Sequence, residues 1–125
     1  MLRVGDLQRS IDFYTKVMGM TLLRTSENPS QNYSLAFLGY GKNPEHAELE
    51  LTYNHGVSSY ELGTAYGHIA IRVDDMTETL ERLKGHGIEA EKPPYRVSVG
   101  GSLICFVPDP DRKLLTLSTE LALSA

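Results

Sequence analysis

Two stripes of apolar residues recur at helical spacing along this chain, one of Leu7, Ile11, Tyr14 and Val17, the other of Met76, Leu80 and Leu83. Each follows a short apolar strand that ends at an aspartate able to cap a helix. Each stops at a glycine suited to a left-handed C-terminal position. The matching segments are Arg3-Val4-Gly5-Asp6-Leu7, Ser10-Ile11-Asp12-Phe13-Tyr14 and Met18-Gly19-Met20 in the first half. In the second they are Arg72-Val73-Asp74-Asp75-Met76, Thr79-Leu80-Glu81-Arg82-Leu83 and His86-Gly87-Ile88. The copies are offset by 69 residues at the strand, Arg3 to Arg72, and the second is one residue shorter.

After each helix the period falls from near 3.6 to near 2, which predicts strands. Residues 20–24, 33–38 and 48–53 are the expected strands of the first half, divided by turn-rich loops at 26–30 and 39–44. Residues 87–91, 103–107 and 114–117 are those of the second, divided by a Pro/Gly-containing loop and by Asp109-Pro110-Asp111. Each half therefore reads strand, helix, three strands. The whole reads as one α+β domain of two repeated modules, approximately 1–53 and 67–118, with a linker over 54–66.

Composition limits what such a domain does. At 125 residues the chain holds one core, and 41% apolar with 22% charged residues is ordinary for a soluble globular protein. The net charge of -4 comes from interspersed acids and bases, so no nucleic acid or membrane partner is expected. The single cysteine, Cys105, lies in the apolar run Leu103-Ile104-Cys105-Phe106-Val107 and reads as an inert core thiol. With no secretory apolar segment and no run near ~20 apolar residues, a cytoplasmic location is expected.

Candidate chemistry centres on Glu50 and His68. A carboxylate between Leu49 and Leu51, and a histidine opening the apolar run after Tyr66-Gly67, each cost free energy unless something binds them. A divalent metal would bind both. The repeat extends this reading. The first-half counterpart of His68, four residues before Arg3, falls two positions upstream of Met1. The second-half counterpart of Glu50 is Thr116, at the centre of Leu115-Thr116-Leu117. Pseudo-symmetry thus points to an ancestral set of four ligands, of which Glu50 and His68 remain.

Several segments together resemble bacterial glyoxalase I, the lactoylglutathione lyases of the vicinal oxygen chelate superfamily. They are Leu2-Arg3-Val4-Gly5-Asp6-Leu7, Ser10-Ile11-Asp12-Phe13-Tyr14, Glu50-Leu51-Thr52-Tyr53-Asn54 and Glu61-Leu62-Gly63-Thr64-Ala65-Tyr66-Gly67-His68. The likeness is dense to about Val73 and thinner beyond, returning at Gly100-Gly101, Phe106-Val107 and Asp109-Pro110-Asp111. It implies a glyoxalase fold of two βαβββ modules with curved mixed sheets, and a homodimer with its site between subunits. It also implies isomerisation of the methylglyoxal–glutathione hemithioacetal to S-lactoylglutathione at nickel or zinc, with glutathione as cosubstrate. Carried over, the metal ligands are Glu50 and His68, with Glu50 also a candidate base. Arg3 and Asn54 fall where the family binds glutathione's carboxylates, and Lys92 and Arg96 are weaker candidates for the same anion.

The family's catalytic glutamate is replaced by Thr116, whose hydroxyl is a poor base and a weak ligand. Glu120, four residues on, replaces it only through an even register slip. Impaired activity is therefore expected, from Thr116 together with the family's first ligand, a histidine whose place falls upstream of Met1. The competing reading is a catalytically degenerate ligand-binding protein of the same fold, and a third is a dioxygenase or thiol transferase relative. His46, His55 and His86 read as surface groups, His55 least securely because it follows Tyr53-Asn54.

Overall fold

The computed structural model describes residues 1–119 of the chain. It divides into two compact units, Met1–Glu61 and Leu62–Ala125, the latter described as far as Thr119. In the first unit β1 (Leu2–Arg3) leads to α1 (Leu7–Asp12), a π-helical turn (Phe13–Val17), β2 (Thr21–Asn28), β3 (Tyr33–Gly39) and β4 (Leu49–Asn54). The second repeats the plan with β5 (Ile69–Arg72), α2 (Met76–Gly85), β6 (Tyr95–Arg96), β7 (Leu103–Pro108) and β8 (Leu114–Ser118). The sheet orders are β1-β4-β3-β2 and β5-β8-β7-β6. In both, the first strand lies parallel to the last and the other pairings are antiparallel. This is the expected strand, helix, three-strand unit twice over.

The caps explain where the helices start and stop. Asp6 accepts from the backbone N–H of Arg9 at 2.9 Å, and Asp75 accepts from that of Glu78 at 3.0 Å. Gly19 at φ +78° and Gly87 at φ +77° then turn the chain through the left-handed region. The extra residue of the first copy is taken up in the π-helical turn, where the Met18 N–H reaches back five residues to the Phe13 carbonyl at 3.0 Å.

Each helix covers one face of its own sheet. Val4, Tyr14, Ala36, Leu38 and Leu51 are wholly buried in the first unit, and Leu83, Val107, Leu115 and Leu117 in the second. β3 shows why: Ser34, Ala36 and Leu38 point to the covered face, while Tyr33, Leu35 and Phe37 stay half-exposed on the other. Leu7 and Leu80, expected in the stripes, are only half-buried.

One expected strand does not form. Residues 87–91 run without a ladder apart from the Glu91 N–H bonded to the Phe106 carbonyl at 3.1 Å, and the edge strand is the later Tyr95–Arg96. Ile88 and Ala90 imitate strand alternation, but Pro93 and Pro94 follow directly and bring no N–H to a ladder.

Candidate functional site

The uncovered face of the first sheet carries the sequence-predicted residues of that unit. Arg3 pairs with Thr52 across the β1–β4 ladder, and Glu50, Thr52 and Asn54 alternate along β4, so all four share this face. Across the sheet Glu50 stands opposite Phe37, itself next to Arg24 in the ladder. The Arg24 guanidinium lies 4.2 Å over the Phe37 ring and 2.7 Å from a Glu48 carboxylate oxygen. Hydrogen bonding to Arg24, then to the Asn43 backbone N–H, holds the Glu48 carboxyl below its ordinary range. The Asn54 side-chain amide donates to the Tyr60 hydroxyl at 3.1 Å.

The second sheet repeats the arrangement with different chemistry. Leu2 faces Leu51 in the first sheet as Ile71 faces Leu117 in the second, so one residue back Glu50 and Thr116 are equivalent. The same ladders place Phe37 beside Glu50 and Phe106 beside Thr116. Thr116 is 5% exposed, and its hydroxyl oxygen has no hydrogen-bond partner among the described residues. The His68 ring meets the Phe106 ring edge-on at 5.6 Å. The Tyr66 hydroxyl donates to the Leu114 carbonyl at 3.0 Å, and burial, with the Asp109 carboxylate, pushes that phenol up.

A cavity of about 200 Å³ opens against the same Phe106, lined also by Glu91, Lys92, Tyr95 and Leu114. Sequence reasoning did not single out Phe37, Phe106 or Glu91. The phenylalanines were detectable, because they sit 69 residues apart, the offset of the repeat.

Two premises of the sequence reading need correction. Glu50 is only half-buried and His68 is exposed, so neither is forced to find a partner by desolvation. Strand alternation sets this: Leu49 and Leu51 turn to the covered face and leave Glu50 on the open one. Among the remaining candidates, Arg96 donates to the Gly101 carbonyl at 2.6 Å, and Lys92 borders the cavity. Glu120 lies outside the described residues. His46 and His86 are exposed, as expected. His55 is exposed too, but its ring is engaged with Ser34 at 2.7 Å. Cys105 is buried, and desolvation pushes its thiol up.

The donor set falls short of a closed metal centre. Glu50 and His68 offer the oxygen and imidazole donors that nickel or zinc accepts, whereas Thr116 offers a neutral hydroxyl. No three of His, Cys, Asp or Glu gather as a cation site among the described residues.

A family model described as Glyoxalase/Bleomycin resistance protein/Dioxygenase superfamily matches residues 1–117. Over 120 residues the chain is 58% identical to the lactoylglutathione lyase of Escherichia coli O157:H7, covering 96% of this chain and 89% of that one. The chain belongs to the lactoylglutathione lyase family. Its fold agrees: it resembles the trypanothione-dependent glyoxalase I of Leishmania major at a TM-score of 0.84 and 44% identity, over 96% of this chain and 84% of the other. Glyoxalase I of Zea mays matches at a TM-score of 0.89 and 40% identity, over 97% of this chain. The chain spans 43% of that maize protein. The likeness to lactoylglutathione lyases runs through both units, past Thr116.

Proposed function

We propose that this chain isomerises the methylglyoxal–glutathione hemithioacetal to S-lactoylglutathione as a cytoplasmic homodimer using a divalent metal, nickel or zinc, with turnover reduced by Thr116. The observation that carries the reading is the 58% identity to a lactoylglutathione lyase over 96% of the chain. The uncovered faces of the two sheets support it in detail.

Glu50 and His68 are the residues that would hold the metal, being the charged oxygen and the imidazole on those faces. Arg3 and Asn54 share the face of Glu50 and suit an anionic cosubstrate: the guanidinium pairs two donors with a carboxylate, and the amide adds a third. The reaction moves one proton. It leaves the carbon bearing the hemithioacetal hydroxyl and returns to the neighbouring carbon, so the group that takes it must also give it back. A carboxylate does both near neutral pH, and Glu50 is the carboxylate on this face of β4. Phe37 beside it keeps one flank apolar, which discourages exchange of that proton with water.

The equivalent place on β8 holds a hydroxyl. Thr116 neither carries charge at neutral pH nor returns a proton with comparable ease, and this is the basis for reduced turnover.

The test follows thioester formation at 240 nm with methylglyoxal, glutathione and added nickel or zinc, in the native chain and in Thr116→Glu. Turnover that rises on restoring the carboxylate supports the reading. Metal binding and hemithioacetal binding without turnover in either protein favours instead a binding-only member of the fold, for which the unpartnered Thr116 hydroxyl is the supporting observation.

A further inference from the structure

Glu27, Ser34 and His55 converge at one end of the first sheet. The Ser34 hydroxyl donates to a Glu27 carboxylate oxygen at 2.5 Å and lies 2.7 Å from Nε2 of His55, while that Nε2 is 3.8 Å from the same Glu27 oxygen. Ser34 stands opposite both Glu27 and Tyr53 in the ladders. Side chains alternate along each strand, so the cluster lies on the face opposite Arg3, Glu50 and Asn54. It is separate from the site described above.

We propose that these three side chains form a second cation site, for a borderline divalent ion of the zinc class. A triangle with sides of 2.5, 2.7 and 3.8 Å has one point about 1.9 Å from every corner. An ion raised slightly from that plane lies about 2.1 Å from all three atoms, the ordinary distance for zinc to imidazole nitrogen and to oxygen. The two short edges are hydrogen-bond lengths, and they open by roughly 0.7–0.9 Å, toward the ~3.4 Å edge of a tetrahedral site, when a metal replaces the protons between them.

Glu27 and His55 supply a carboxylate and an imidazole, a pair that zinc-class ions accept better than calcium or magnesium, and the neutral Ser34 hydroxyl is the weak third donor. The Ser34 side is buried, whereas the His55 and Glu27 side chains are 38% and 64% exposed. The ion therefore enters from solvent, and water completes its coordination.

The scaffold holds the donors in place before any ion arrives. The His55 N–H bonds the Asn32 carbonyl at 2.9 Å, and the Val57 N–H bonds the Asn54 carbonyl at 3.0 Å. The β2–β3 turn is fixed at Asn28, whose side-chain oxygen accepts from the Ser30 hydroxyl at 2.9 Å and the Gln31 N–H at 3.2 Å. The Tyr53 ring packs 5.5 Å from the His55 ring. Three donors brought together from β2, β3 and the residue after β4 mean that an ion there ties three strands.

The experiment uses the full chain carrying Glu50→Gln and His68→Ala, so the candidate catalytic donors are gone and the outcome is independent of the proposed activity. Zinc is titrated calorimetrically into this protein and into versions that add His55→Ala or Glu27→Gln. One zinc per chain is expected, weakened at least tenfold by either addition. In the otherwise native chain, the imidazole nitrogen resonances of His55 shift on adding zinc, and those of His46 and His86 do not. An isotherm indifferent to His55→Ala, or resonance shifts confined to the other histidines, overturns the proposal. Since His55 and Glu27 are exposed, their replacement leaves the fold intact by circular dichroism.

Discussion

Thr116 stands in the second sheet where Glu50 stands in the first, each one residue before the leucine that faces the opening strand of its module. Equivalent faces thus present a half-buried carboxylate in one unit and a buried neutral hydroxyl in the other. If that asymmetry limits turnover, Thr116→Glu raises kcat with methylglyoxal and glutathione by about a hundredfold, the lower range for a positioned acid–base group. Thioester absorbance under saturating nickel or zinc measures it. An unchanged kcat in a folded variant means that the missing carboxylate is not the limiting group.

The same residue makes an opposite prediction about stability. Its hydroxyl is buried without a partner, and an unsatisfied polar group costs about 1–3 kcal/mol. Thr116→Val keeps the β-branched shape and removes the hydroxyl. Urea unfolding is expected to show a gain of roughly 1 kcal/mol. A loss would mean that the hydroxyl is satisfied in solution.

The helix entries allow a plainer test. Asp75 caps α2 by accepting the Glu78 N–H at 3.0 Å, and the residue is exposed. Asp75→Ala should lower stability by about 1 kcal/mol, seen as a lower urea midpoint with an unchanged slope, whereas Asp75→Asn should retain most of it. Equal losses in both would point to charge rather than to the cap bond.

The modular plan was legible because the sequence states it twice, with capping aspartates, apolar stripes and terminal glycines at a shared offset. Strand interiors such as Leu49 to Tyr53 were legible through their period of two. Residues 87–91 were not: two apolar residues alternating with glutamates satisfy the strand pattern, and only the register of β7 shows that the edge pairing falls beyond Pro93 and Pro94. The equivalence of Glu50 and Thr116 could be read from the repeat, but their burial could not. Alternation puts the flanking leucines of Glu50 on the covered face, so an apolar neighbourhood in sequence is half solvent in space. The Glu27, Ser34 and His55 cluster escaped notice because its members lie 7 and 21 residues apart and meet only through ladder register.

Glu48 gives the chain a titration signature. Its carboxyl is held below the ordinary range chiefly by the Arg24 hydrogen bond. A carboxyl lowered on folding contributes stability above its unfolded value, and that contribution is lost as pH falls through the lowered folded value. Glu48→Gln should therefore destabilise the protein at pH 7, and the difference from the native chain should shrink as both are taken below about pH 4.5. Urea midpoints at a series of pH values measure this. A constant difference across the series would show that Arg24 loses packing rather than a charged partner.

Cys105 separates burial from reactivity. The residue is 1% exposed, its sulfur lies 3.6 Å from the Lys92 carbonyl, and desolvation is the main cause that pushes its thiol up. Both effects suppress the thiolate, which is the form that attacks alkylating and disulfide reagents. In the native protein at pH 8 a chromogenic disulfide reagent should react at the rate of local or global opening, independent of reagent concentration. In about 6 M guanidinium chloride, where desolvation is gone, reaction should accelerate by several orders of magnitude. If the native rate rises in proportion to reagent, the thiol is reached without opening, and the packing of Cys105 between β8 and the 88–94 segment is looser than its burial indicates.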